Sequence, residues 1–295
     1  MFKGSLVALV TPFDNDNCVN FRVLGQLVDF HLKNGTDGLV ILGTTSESAT
    51  LDFEEEARIA KFVIERVNKK IPVIVGSGSN NTQEAIWQSM RFEQMGADGL
   101  LVVTPYYNKC NEDGLYLHYQ AIADAVKIPV ILYNVPSRTG VNISFENLLK
   151  LKKIPNIIGI KEASGNIAYM TKVATILDDD FIMFSGNDDL VLVTLALGGS
   201  GVISVMANSY PKMVHEMCAA YFQGNEKRAR ELQLAYLDII HNMFIEVNPI
   251  PVKNALNYQG FKVGKCRLPL GSLTSENENI LRKSMEKMGY QKYEG

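Results

Sequence analysis

Short apolar runs rich in Val, Ile and Leu recur along this chain at an interval of roughly 30 residues, the length of one strand–helix unit. They are SLVALV (5–10), GLVIL (38–42), IPVIV (71–75), DGLLVV (98–103), IPVILY (128–133), IIGIK (157–161), FIMFS (181–185) and SGVISV (200–205), eight in all. The runs are continuous, not alternating, which is the pattern of parallel strands covered on both faces by crossover helices. The segments between them have helical spacing. In the second, Phe53, Ile59, Phe62, Val63 and Val67 share one face, and Glu54, Glu55 and Glu56 sit near the start, where the helix dipole favours negative charge. The third opens on Asn81-Thr82, both suited to a helix N-cap, and stops at Gly96. Eight such units predict an α/β fold of the closed (β/α)8 TIM barrel type, because an open doubly wound sheet more often stops at five or six strands.

About ninety residues follow the eighth run, too many for one closing helix. Residues 225–247 bring Leu232, Ala235, Tyr236, Ile239, Ile240 and Met243 to one face, and Pro249 and Pro251 mark a break. Ser275 and Glu278 form a capping-box pattern before a last helix carrying Leu281, Met285 and Met288. The expected division is a barrel over 1–224 and a C-terminal helical region over 225–295.

Composition narrows the function classes. With 295 residues, 46% hydrophobic, 21% charged and a net charge of −3, the chain reads as a soluble globular protein with a large core. It has no long Lys/Arg blocks, so small molecules are better expected partners than nucleic acid or a membrane surface. The opening MFKGSLVALVTPF reads as a first strand, not a signal peptide, and no apolar stretch reaches the roughly 20 residues that span a bilayer. Cys18, Cys110, Cys218 and Cys266 form no CxxC and read as reduced thiols, so a cytoplasmic location is expected. His31, His118, His215 and His241 make no HxH or HExxH, and His215 to Cys218 has no metal-ligand spacing, so neither metal nor cofactor is expected. No GxSxG elbow or Walker A loop is present. GSGSNN (76–81) lacks the third glycine of a dinucleotide fingerprint, and LGGSG (197–201) precedes the eighth strand and so belongs to the opposite end of the barrel.

Active sites of such barrels lie at the C-terminal ends of the strands. There the sixth run carries Lys161. Alternation puts Ile157, Gly159 and Lys161 on one face and, in the fifth strand, Ile131 and Tyr133 on one face, so the Tyr133 phenol can approach the Lys161 amine. An amine kept neutral by desolvation attacks carbonyls, and a neighbouring hydroxyl relays the protons that imine formation requires. The competing reading pairs Lys161 with Glu162, Asp188 or Asp189, although Glu162 should point to the other face. Gly159 is expected to clear room below the lysine stem. Thr44 and Thr45 offer hydroxyls and free N–H groups to a carboxylate, or else form a helix N-cap cluster. Arg138 offers a second carboxylate a bidentate partner, or else is a solvated surface arginine. Of the adjacent Tyr106 and Tyr107, whose rings diverge, one can serve a site while the other packs.

The stretches GTTSES (43–48), TPYYNK (104–109), YNVPSRTG (133–140), GIKEASG (159–165), SGNDD (185–189) and GVISVMAN (201–208) fall in one order at barrel spacing. In this the whole chain resembles the dihydrodipicolinate synthase and N-acetylneuraminate lyase family of pyruvate-dependent class I aldolases. The resemblance implies a barrel with a C-terminal helical region, assembled as a homotetramer, a dimer of dimers. It makes Lys161 the Schiff-base lysine for pyruvate and Tyr133, Thr45 and Tyr107 a hydroxyl relay, with Tyr107 supplied across the tight dimer interface. Thr44 joins that network, and the threonine pair binds the pyruvate carboxylate. Arg138 receives the carboxylate of the second substrate, and Gly186 and Ile203 are backbone contacts near the site. Because the neuraminate lyases lack that arginine, the resemblance implies condensation of pyruvate with L-aspartate 4-semialdehyde to 4-hydroxy-tetrahydrodipicolinate, towards diaminopimelate and lysine, without cofactor or metal. The alternative is another class I pyruvate aldolase or dehydratase of the same family, acting on a 2-keto-3-deoxy sugar acid or N-acetylneuraminate. A further alternative is a barrel that keeps the fold but only binds.

Two departures stand out. Ser46 occupies a position where many relatives have glycine. Phe53 and Glu56 stand where lysine-inhibited members carry histidines, while Ser48, Ala49, Asn80, Glu84 and Tyr106 match the interfacial allosteric pocket. Weak or no inhibition by lysine is expected.

Overall fold

The computed structural model of the chain describes residues 2–290 and 292–293; Met1, Gln291, Glu294 and Gly295, at the outer ends of the two expected regions, lie outside it. Eight parallel strands run in chain order: β1 (Gly4–Ala8), β2 (Gly38–Ile41), β3 (Val73–Gly76), β4 (Gly99–Val103), β5 (Val130–Asn134), β6 (Ile157–Glu162), β7 (Ile182–Ser185) and β8 (Gly201–Ser204). Each pairs with the next, and β8 closes on β1 with Ile203 opposite Leu6, so the sheet is a (β/α)8 TIM barrel.

The unbroken apolar runs are explained by two cores that share the same strands. Leu6, Val40, Ile74, Ile131, Phe184 and Ile203 fill the barrel interior. Their neighbours Val7, Leu39, Val75, Leu132, Met183 and Val202 face outwards and pack under the helices. Burial of each such side chain is worth about 1.5–3 kcal/mol, so polar residues are tolerated only at the strand ends.

Strand β6 departs from simple alternation. Val130 is opposite Ile157 but Ile131 is opposite Gly159, so Ile158 is an extra residue in the ladder. As a result Ile157 belongs to the outer core, and only Gly159 and Lys161 share the inward face. A bulge exchanges the two faces of the strand beyond it. Without it, Lys161 would share the outward face with Ile157. Gly159 is needed for a neighbour other than the lysine stem: a Cβ there would lie 2.3 Å from the Ile182 carbonyl oxygen of β7.

Helix starts follow capping chemistry. The Asp52 carboxylate accepts from the Glu54 and Glu55 N–H groups at 2.9 and 2.8 Å, and Glu55 returns the bond to the Asp52 N–H, starting the helix Phe53–Val67. Asn81 caps Thr82–Gln94. The last helix, Ser275–Met288, is capped one residue before the expected Ser275: the Thr274 hydroxyl accepts from the Asn277 N–H. Glu246 takes the reciprocal role by accepting the Thr274 N–H at 2.9 Å, which leaves Glu278 to accept the Tyr258 hydroxyl at 2.7 Å. The run over 225–247 is two helices, Glu226–Ala235 and Leu237–Asn242, meeting at Tyr236. The chain then continues into a helix over Ile250–Tyr258. Among the described residues no helix is long and apolar enough to cross a membrane.

Candidate active site

Lys161, next to last in β6, is a buried side chain, 6% exposed, in register with Tyr133 of β5. Its Nζ lies 4.3 Å from the centre of the Tyr133 ring. Among the described residues Lys161 forms no ion pair, although Asp188 and Asp189 line the same cavity. Glu162 points to the other face, where it accepts from Asn134 Nδ2 at 2.7 Å and the Ser164 N–H at 2.6 Å. Asp188 Oδ2 accepts the N–H groups of Val205 and Met206, both at 3.0 Å, and Asp189 lies 3.7 Å from His241. Burial raises the Asp188 carboxyl above its usual range, against the Ser204 hydroxyl, those two backbone donors and the charge of Lys161.

A cavity of about 350 Å³ opens above this pair, walled by Thr44, Thr45, Tyr133, Arg138, Lys161 and Gly186. The two threonines form a 3₁₀ turn after β2, over Thr44–Ser46. Ser46 fits this turn without strain and its hydroxyl donates to the Leu9 carbonyl at 2.6 Å, tying the turn to the end of β1. Gly186 admits no side chain, since a Cβ would come within 2.5 Å of the Ala163 Cβ, and its N–H is committed to the Glu162 carbonyl. Ile203 lies in the packed layer beneath and does not line the cavity.

Arg138 leaves the end of β5 in a short helical turn, Pro136–Thr139, and borders two cavities. The second, about 620 Å³, is lined by Ser48, Ala49, Glu84 and Tyr106 together with Phe53 and Glu56. Asn80 sits at its edge, its amide donating to the Tyr106 carbonyl at 3.1 Å. Burial pushes the Glu56 carboxyl up to about 7, opposed by the hydrogen bond it accepts from Gln88. Tyr107 stands apart from both cavities: it is 92% exposed, on a backbone with φ of 69°. The diverging rings of Tyr106 and Tyr107 thus put one on a cavity wall and one in solvent. Among the described residues no three His, Cys, Asp or Glu side chains converge in a way that could hold a metal ion.

Part of the site comes from the C-terminal region, which sequence reading left out. Asn248 Nδ2 donates to Thr45 Oγ1 at 2.9 Å, and the Asn248 carbonyl accepts from Arg138 at 3.3 Å. Ile240 and Phe244 complete the smaller cavity's wall. The only trace of this in the sequence is the Pro249/Pro251 break, which interrupts the helices where Asn248 reaches the threonine turn.

Comparisons with known proteins agree on one family. The profile of the Dihydrodipicolinate synthetase family matches residues 1–288. A 4-hydroxy-tetrahydrodipicolinate synthase of Caldicellulosiruptor saccharolyticus is 51% identical over 285 residues, covering 97% of this chain and 96% of that one. Among solved structures, a dihydrodipicolinate synthase from Aquifex aeolicus superposes with a TM-score of 0.96 at 42% identity over 100% of both chains. A chloride-inhibited dihydrodipicolinate synthase from Acinetobacter baumannii, complexed with pyruvate, does so with a TM-score of 0.96 at 41% identity, covering 98% of this chain and 100% of that one.

Proposed function

The chain belongs to the dihydrodipicolinate synthetase family, and on that premise we propose that it is a 4-hydroxy-tetrahydrodipicolinate synthase, a lyase of the class I pyruvate aldolase type. It condenses pyruvate with L-aspartate 4-semialdehyde in diaminopimelate and lysine synthesis, in the cytoplasm. The observation that carries this reading is the Lys161 amine, buried 4.3 Å from the Tyr133 ring and in no ion pair, in a cavity whose wall includes Thr44, Thr45 and Arg138 as well as Asp188 and Asp189.

In this mechanism Lys161 Nζ attacks the pyruvate C2 carbonyl. Tyr133 supplies the proton on which the carbinolamine oxygen departs as water, leaving an imine. The Thr44–Thr45 turn holds the pyruvate carboxylate, and the Thr45 hydroxyl connects Tyr133 to Tyr107 of a neighbouring copy. Loss of a C3 proton gives the enamine, whose C3 attacks the semialdehyde C4, forming the new carbon–carbon bond. Arg138, at the cavity mouth, holds the second substrate's carboxylate. The substrate's own amine then displaces Lys161 and closes the ring. The reading requires a shared site, hence at least a dimer and, by family habit, a dimer of dimers. Gly186 completes the cavity wall with Ile203 in the packed layer beneath it, and Ser48, Ala49, Asn80, Glu84 and Tyr106 form an effector pocket.

The test is borohydride reduction with pyruvate, followed by peptide mapping. One pyruvate-derived adduct, on Lys161, is expected. No adduct, or one on another lysine, overturns the mechanism. A coupled assay of aspartate semialdehyde against 2-keto-3-deoxy sugar acids and N-acetylneuraminate then checks the second substrate, and loss of semialdehyde turnover in Arg138→Ala checks its anchor.

A further inference from the structure

Two residues beyond Thr45, Glu47 is completely buried and faces an equally buried lysine from the C-terminal region. Lys253 Nζ lies 2.8 Å from Glu47 Oε1, with side-chain exposures of 1% and 0%. Lys253 also donates to the Lys265 carbonyl at 2.8 Å, and Glu47 Oε2 accepts the Arg267 N–H at 2.8 Å. The Phe13 ring meets both cations, its centre 4.3 Å from Lys253 Nζ and 4.3 Å from Arg267 Cζ. A buried ion pair of this kind contributes little net stability, because desolvating both charges offsets their attraction. What it does supply is geometry.

That geometry bears on the threonines. Glu47 terminates the 3₁₀ turn Thr44–Ser46 in the left-handed region, at φ 58° and ψ 35°. A side chain other than glycine adopts that conformation only where its surroundings impose it. Lys253 belongs to the helix Ile250–Tyr258, whose N-terminal approach carries Asn248 to Thr45. One segment therefore holds the turn at two points: at Glu47 through charge and at Thr45 through an amide. With Asn248 Nδ2 donating into Thr45 Oγ1, the Thr45 proton is not used by that contact.

We propose that the Glu47–Lys253 pair is a positioning device, which locks the threonine turn to the Asn248 segment and so orients Thr45 for the pyruvate carboxylate. Its consequence for pyruvate rests on the proposed synthase reading; the locking itself does not.

Three proteins test it: the parent chain, Lys253→Met, and the double variant Glu47→Gln/Lys253→Met. Removing one charge strands the other, so the single variant should melt well below the parent. The double variant leaves no unpaired charge and should recover most of that loss even if the single one fails to fold. Hydrogen exchange of the peptide spanning residues 43–51 reads the locking directly. Faster exchange there in the double variant, by about ten-fold and with the strand peptides unchanged, is expected, as for the loss of one charge-assisted contact. Under turnover, its half-saturation for pyruvate should rise about ten-fold, with kcat falling less. A double variant with recovered melting, parental exchange over 43–51 and parental pyruvate half-saturation overturns the proposal and leaves the pair a packing feature. If the parent forms no pyruvate adduct the synthase reading fails, while the exchange measurement still decides the locking.

Discussion

Tyr133 and Lys161 are cross-strand partners, paired in register across β5 and β6 with the lysine nitrogen 4.3 Å from the centre of the phenol ring. The extra residue at Ile158 decides this relationship, because it turns the distal half of β6 inside out relative to Ile157. The amine is thereby held against a hydroxyl-bearing ring in the barrel mouth.

Removing only the Tyr133 hydroxyl should separate chemistry from packing. Tyr133→Phe keeps the ring beside Lys161, so its melting temperature should stay close to the parent's. Turnover should fall about 10²–10⁴-fold, the usual worth of a positioned proton donor. Steady-state assay with calorimetry checks this, and turnover within a few-fold of the parent would remove Tyr133 from the relay.

Tyr107 lines neither cavity and is 92% exposed, so the relay role proposed for it requires a second copy of the chain. Tyr107→Phe and Lys161→Ala should each be nearly inactive alone. Mixed oligomers contain some sites with an intact Lys161 from one subunit and an intact Tyr107 from the other, and should recover part of the activity. Verified mixed oligomers with no recovery count against a shared site.

Glu56 gives a pH signature of defined sign. Burial raises its folded-state value to about 7 from 4.5, so the folded protein holds this proton more tightly than the unfolded chain. Stability should therefore fall as pH rises through that window, by at most about 3 kcal/mol. Glu56→Gln removes the effect. Chemical denaturation should find the variant about 1–3 kcal/mol more stable than the parent at pH 8 and equal to it at pH 4.5. Equal stabilities at both values would mean that Glu56 ionises freely.

The same cavity bears on regulation. Phe53 and Glu56 line it beside Ser48, Ala49, Glu84 and Tyr106. An apolar ring and a carboxyl titrating near neutrality replace two imidazoles, so L-lysine should inhibit weakly or not at all. A clear drop in initial rate at modest lysine concentration contradicts this.

The barrel was legible because strand spacing and apolar runs are local properties, repeated eight times. Strand-end position then drew attention to Lys161, Tyr133, Thr44, Thr45 and Arg138, all of which border one cavity. Smaller departures from the expected elements have identifiable causes. Thr274 and Ser275 are both good caps, and the choice between them falls to Glu246, a residue 28 positions from Thr274. Alternation placed Ile157 beside Lys161 because a bulge inserts one residue without altering the apolar character of the run.

The sequence by itself determined the number of strands, the order of the loops at the barrel mouth and the chemical character of each. Only the tertiary structure decided which distant residues support them. Asn248 meets Thr45 across 203 positions and Lys253 meets Glu47 across 206. Neither contact leaves a periodic trace, because each depends on where the C-terminal helices come to rest on the closed barrel, and only closure brings those ends of the chain together.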